Sequence, residues 1–279
     1  MKRFLFLAMA VLAGCGENLT HPVAGSPAGE GGAGGAGQLS CLPNLDGKVE
    51  AAEFKAVLDT PVDYLVGNNR PVSLAGEVDP EGRRVWDFSK EYPDDGQITI
   101  AATGLDDKWF QASFPEGQWV APADALGTTY GVYAADAQAV YLLGLASKEE
   151  NPADNKKTLL VYDEKVAVYR FPLTPGSSWI SVGKVSGATA NGLPYSGSHK
   201  YEVKDDGAGM LRMPNLTFEQ AHRVRTTLTI TSNAGPEEIV RRQTGFVFEC
   251  FGEVVRATAP DGEMNDDFGT AAELRRLKN

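Results

Sequence analysis

From Tyr64 to Ala259 the chain is written in short apolar runs separated by turn-forming residues, and helical spacing is almost absent. Val224, Thr226, Leu228 and Ile230 alternate with Arg223, Arg225, Thr227 and Thr229, which gives one apolar and one polar face, the mark of a half-buried antiparallel strand. Similar runs predict strands at 61–66, 72–78, 83–88, 97–103, 128–134 and 138–146, the last two joined by a hairpin at Ala135-Asp136. A second hairpin is expected around Asp163-Glu164, with arms at 158–162 and 165–171, and the continuous apolar run of its first arm predicts burial on both faces. Further strands are expected at 179–185, 198–203, 209–213, 222–231, 238–248 and 252–259. So many strands with no long helix predict a mainly β fold, an antiparallel β-sandwich or a curved half-barrel.

Two short helices are expected at the ends of this domain. Asp46-Gly47 supplies a turn, and helix formers from Glu50 to Leu58 follow it, with Phe54, Val57 and Leu58 on one face. Near the C-terminus, Thr270 and Glu273 have capping-box spacing ahead of Leu274 and Leu277, so 261–279 reads as a tail closing in a short helix. The β-domain then spans 41–260, and the stretch 172–178 offers a place to subdivide it. Ahead of it, 16–40 is dominated by Gly, Ala, Ser and Pro, a composition with little to bury, and reads as a disordered tether.

Lys2 and Arg3, the apolar run Phe4 to Ala13 and the small residues before Cys15 have the layout of a secretory signal too short to span a bilayer. Leu12-Ala13-Gly14-Cys15 resembles the lipobox of bacterial lipoproteins. That resemblance implies removal of residues 1–14 and lipidation of Cys15, the start of a mature chain anchored to a membrane by its acyl groups. Each buried methylene contributes about 0.8 kcal/mol, so several chains anchor a protein that has no transmembrane helix. Gly16 stands where an Asp would imply retention in the inner membrane, so the resemblance places the protein on the outer membrane, facing the periplasm or the surface. With the tether, the segment 41–53 and Phe248-Glu249-Cys250-Phe251-Gly252-Glu253-Val254, the chain is similar to a group of predicted lipoproteins of myxobacterial type, which implies a cell-envelope protein with an antiparallel β-domain and brings no activity with it.

Charge narrows the partners. Without Lys2 and Arg3 the chain carries 24 basic and 37 acidic side chains, a net charge of −13 that repels phosphate backbones and excludes nucleic acid as a partner. Acidic pairs such as Asp205-Asp206 and Asp266-Asp267 read as solvated turn charge. Of three cysteines, assigning Cys15 to lipid leaves Cys41 and Cys250, which are expected to form a disulfide in an oxidising compartment.

Asn44, Asp46, Lys48 and Glu53 fall on positions three, five, seven and twelve of an EF-hand calcium loop, Lys48 through its carbonyl, with Gly47 at the sharp turn. Leu42 occupies position one, where a carboxylate is required, so the loop is incomplete and calcium is its only candidate cofactor. The three histidines, His21, His199 and His222, form no nucleophile motif, and no spacing singles out a carboxylate pair among the 37 acidic residues. Aromatics cluster between Val85 and Leu143, where they fill a β-core or stack on sugars, and Trp109, Phe110 and Trp119 lie in turn-rich sequence. The expected function is a membrane-anchored envelope lipoprotein whose β-domain binds a partner or has a structural part, without catalysis. The alternatives are a carrier of lipid or another apolar ligand, and a glycan-binding or glycan-hydrolysing protein.

Overall fold

The computed structural model describes residues 41–278 apart from Lys55, Ala125 and Pro236. The signal, Cys15 and the tether to Ser40 lie outside the described residues. Fifteen strands form one sheet. They are β1 (Val62–Pro71), β2 (Glu77–Val78), β3 (Arg84–Asp87), β4 (Gly96–Ile100), β5 (Thr103–Gly104), β6 (Trp119–Pro122), β7 (Thr129–Ala135), β8 (Ala139–Ser147), β9 (Leu159–Arg170), β10 (Ser178–Ala190), β11 (Leu193–Arg212), β12 (Thr217–Ser232), β13 (Glu238–Phe248), β14 (Gly252–Thr258) and β15 (Thr270–Leu277).

From β5 to β15 the sheet order is the chain order, an antiparallel meander that β1 and then β4 extend past β15. β3, paired with β2, attaches in parallel to the far end of β11. The path therefore begins with β4 and ends with β5, which only Ala101 and Ala102 separate in the chain. Laid flat, thirteen strands would hold these two roughly 55 to 60 Å apart. The sheet must instead curl until its ends meet on one stretch of chain. It stays open, because β4 and β5 do not pair with each other, and the curved form of the sequence expectation holds.

Curling gives the sheet an inner and an outer face. The inner face collects Trp119, Tyr133, Tyr162, Tyr169, Trp179, Tyr201, Val224 and Leu228 into the largest core cluster. Two chain segments cover parts of the outer face. Residues 105–114 lay Leu105, Phe110 and Phe114 on Val120, Val132, Leu143 and Ala146 of β6 to β8. Residues 74–88 lay Leu74, Trp86 and Phe88 on Phe246, Val255, Ala257 and Leu274 of β13 to β15. Between these covers the outer face of β10 meets solvent, with Ile180 59% exposed.

Two sequence expectations change. The tail 261–279 holds no closing helix. Thr270 to Leu277 is β15, because two flanking strands offer its backbone a complete ladder that outweighs local helix propensity, and Glu273 hydrogen-bonds Arg275 rather than a backbone cap. Asp163-Glu164 makes no hairpin. β9 runs through it with an outward bulge, Leu142 facing Val166 and Gly144 facing Val161, and the Asp163 carboxylate accepts the Lys184 N–H at 2.8 Å. Gly144 is required there, since a Cβ would sit 2.0 Å from the Leu160 carbonyl oxygen. Within 50–58 the described residues include the 3-10 turn Ala51–Glu53, after which Phe54 turns into the core. The Ala135-Asp136 hairpin forms as expected.

Candidate functional site

Residues 41–54 cross the end of the curl where β9, β13 and β14 turn. Cys41 is bonded to Cys250, with Cα atoms 5.6 Å apart. Beside it, the Glu249 carboxylate accepts the N–H groups of Asn44 at 2.5 Å and Leu45 at 3.0 Å, and Cys250 N–H donates to the Glu53 carbonyl at 2.9 Å. Val49 exchanges backbone hydrogen bonds with Leu173, and Phe54 packs 4.6 Å from the Tyr169 ring. Val49 and Phe54 are buried, so this strap is part of the core.

The calcium-loop residues are brought together on the strap, and they satisfy one another. Glu53 accepts the Asn44 side-chain N–H at 2.7 Å and the Glu50 N–H at 2.8 Å. Lys48 turns its ammonium toward Glu50 at 2.5 Å and Asp46 at 3.5 Å. Partial burial, with the Glu249 charge nearby, raises the Glu53 carboxyl above its usual range. Among the described residues no group of three or more His, Cys, Asp or Glu side chains is arranged to hold a metal ion. In this arrangement N–H donors and the Lys48 ammonium occupy the carboxylate oxygens of the loop.

Behind the strap the inner face carries charge. Arg256 on β14 and Arg275 on β15 are cross-strand neighbours, each about 1% exposed. Glu253 pairs with Arg256 at 2.5 Å and accepts the Tyr169 hydroxyl at 3.1 Å, while Glu273 pairs with Arg275 at 2.8 Å. Burial, then the Arg256 charge, pulls the Arg275 guanidinium below its ordinary value. Gly245 makes room for this cluster, since a Cβ would stand 2.5 Å from a Glu253 oxygen. Two cations against two anions leave the cluster balanced, which is the condition for tolerating charge in a dry interior.

Further along the same face, His199 lies between two hydroxyls, Tyr162 at 2.7 Å from Nδ1 and Tyr195 at 2.9 Å from Nε2. Burial, and secondarily the Arg241 charge, lowers the imidazole to about 4. Unfolded, the same ring titrates near 6.5. Between those values the unfolded chain binds a proton that the folded chain refuses, so stability is full above pH 6.5 and falls as pH drops toward 4, by about 3 kcal/mol. Denaturant midpoints at pH 7 and pH 4 measure this; the H199Q variant is expected to lose about 3 kcal/mol less across the interval, and equal slopes would refute the assignment.

The other described histidine is also internal. His222 Nδ1 donates to Asp205 at 2.7 Å with both residues fully buried, and its Nε2 has no hydrogen-bond partner among the described residues. A base and its orienting carboxylate are present without a hydroxyl nucleophile on the imidazole. Trp119 and Phe110 are core residues, and Trp109 lies under Lys157, 4.3 Å from its ring. Lysines likewise sit over one face of Tyr130 and of Tyr141, and Arg70 over one face of Tyr92. A shallow cleft of about 240 Å³ opens beside the strap, lined by Glu50, Ala51, Ala52, Ala137, Phe171 and Pro172.

Sequence reasoning missed the inner charges, having read charge as surface. The available signal was Glu253 and Arg256 set inside an apolar run from Gly252 to Ala257. Asp206, Asp266 and Asp267 are not simple solvated charge either; they pair with Arg223, Arg225 and Arg242 on the outer face. Fold and site together define an open, curled antiparallel β-protein with an ion-paired interior and a disulfide-pinned strap across one end. Comparison with protein-family models, curated proteins and solved structures found no match.

Proposed function

We propose that this chain is a lipid-anchored envelope protein whose β-domain is a non-catalytic binding or structural module. The Cys41–Cys250 bond is the observation that carries the reading. It uses two of three cysteines and leaves Cys15, the residue at the lipobox position, with its thiol available for lipid. It also lies at the first residues of the β-domain. A pull transmitted along the tether would reach a covalent link to the β13–β14 turn before it reached the hydrogen bonds of the strap.

Lack of catalysis is supported by the engagement of the buried carboxylates. Glu253 and Glu273 are held by arginines, Asp205 by His222 and Glu249 by the strap. An apolar carrier has less support, because the space inside the curl holds large side chains such as Tyr64, Tyr133, Tyr169, Arg256 and Arg275, each at most 2% exposed. The test is metabolic labelling with a radiolabelled fatty acid. The wild-type chain is expected to incorporate label and C15S to incorporate none; label persisting in C15S would overturn the anchor.

A further inference from the structure

The open seam of the sheet ends in two unlike edges. On one side β5 is two residues long, whereas on the other β4 offers five, Gly96-Gln97-Ile98-Thr99-Ile100, with no charge, no proline and no bulge against β1. Sheet edges are ordinarily blunted by one of those devices or by shortness, and β4 has none of them. From Gly96 to Thr99 its residues are partly or fully exposed.

Hydrogen bonding along β1 fixes which backbone groups this edge presents. The Asp63 carbonyl accepts the Lys278 N–H at 2.8 Å, so Asp63 turns both of its backbone groups toward β15. Alternation then turns Val62, Tyr64 and Val66 toward β4, where they pair with Ile100, Ile98 and Gly96. Gln97 and Thr99 point away from β1, each with one N–H and one C=O, and among the described residues these four groups have no hydrogen-bond partner. Their side chains are engaged behind the edge: Gln97 Nε2 and Thr99 Oγ1 donate to the Asp63 carboxylate at 2.8 and 2.6 Å.

We propose that β4 is a self-association edge, on which a second copy of this chain adds its own β4 in antiparallel register about a two-fold axis at Ile98. The four groups are self-complementary in that register. Gln97 faces Thr99 of the second copy and exchanges both hydrogen bonds with it, and Thr99 does the same with Gln97. Ile98 meets Ile98 of the second copy as a non-hydrogen-bonded pair, the closer of the two kinds, so two half-buried β-branched side chains cover each other. A shift of one residue would set Gln97 against Ile98, whose groups are bonded to β1, and would leave all four orphaned. Four hydrogen bonds and one apolar contact make a small, transient interface. Both copies carry net negative charge, so the pairing strengthens as salt screens their repulsion. It is independent of the lipid anchor.

A cysteine at the axis traps such a pair, since non-hydrogen-bonded partners stand about 4.5 Å apart at Cα, within the span of a disulfide. The full chain carrying I98C is held under a mild oxidant, and non-reducing mass spectrometry follows the peptide linked between the two substituted positions. It is expected to form about 10-fold faster than the corresponding link in M264C, whose position in the β14–β15 loop is 71% exposed, and faster at high salt than at low. Adding T99P removes the outward Thr99 N–H and leaves the β1 ladder whole, the place in an edge strand where proline is tolerated, and is expected to bring I98C down to the M264C rate. Thermal melts establish that each variant is folded; should T99P not fold, I98C against M264C decides. Linkage at I98C no faster than at M264C, or unchanged in folded I98C/T99P, would overturn the proposal.

Discussion

Replacing Cys41 and Cys250 with serine is expected to lower the stability of the folded chain by about 5 kcal/mol. The bond spans 209 residues, and closing so long a loop removes much of the freedom of the unfolded chain. Whole domains are stable by about 5 to 15 kcal/mol, so the loss is a large fraction of the total. The strap's own contacts remain in the C41S/C250S variant: Glu249 still binds the Asn44 and Leu45 N–H groups, and Val49 still bonds Leu173. The native structure should therefore persist at neutral pH while its denaturant midpoint falls steeply. Equilibrium unfolding with and without reductant measures the effect. A loss below about 1 kcal/mol would mean that the unfolded chain is already held compact by other means.

The second large effect concerns the inner charges. R256M is expected to cost about 3 to 5 kcal/mol, because it leaves the Glu253 carboxylate in the interior without its closest cation. Removing both charges in E253L/R256M should recover most of that loss, since apolar side chains of similar volume need no compensation. Tyr169 loses an acceptor in the double variant, so recovery stays incomplete by about 1 kcal/mol. Comparing the single and double variants by urea unfolding separates the loss of a partner from the loss of the pair. If the double variant were less stable than the single one, Glu253 would be serving other partners more than Arg256.

Some of this architecture was legible in the residues alone. The alternation in β12 announces a strand with one buried face, and the structure buries Val224, Leu228 and Ile230 as that pattern requires. Turn residues marked the β7–β8 hairpin, and cysteine parity marked the Cys41–Cys250 bond. Other elements misled. Asp163-Glu164 has the composition of a hairpin turn, yet a bulge can take the same residues without reversing the chain, and the choice rests with β8 and β10 alongside. Leu274 and Leu277 have helical spacing, yet the open edges of β14 and β1 claim the segment.

The candidate site was less legible than the fold. The spacing of Asn44, Asp46, Lys48 and Glu53 is local and could be read directly, but what fills the loop depends on where Lys48 and the Asn44 amide point, and on Glu249 from the other end of the chain. His199, Tyr162 and Tyr195 carry no motif, because they meet only when β9, β10 and β11 lie side by side.

By itself the sequence determined the strand-rich class, the sites of several turns and the pairing of two cysteines, since each follows from short-range alternation, turn chemistry or counting. Only the tertiary structure decided that the sheet curls rather than splitting into a sandwich, that 270–277 becomes a strand, that the strap closes on itself, and that ion-paired side chains and a tyrosine–histidine path lie inside. The physical reason is range. Alternation acts between neighbours two residues apart, whereas the cost of a buried charge, and the place of its partner, are set by strands that are remote in the chain and adjacent only in the folded sheet.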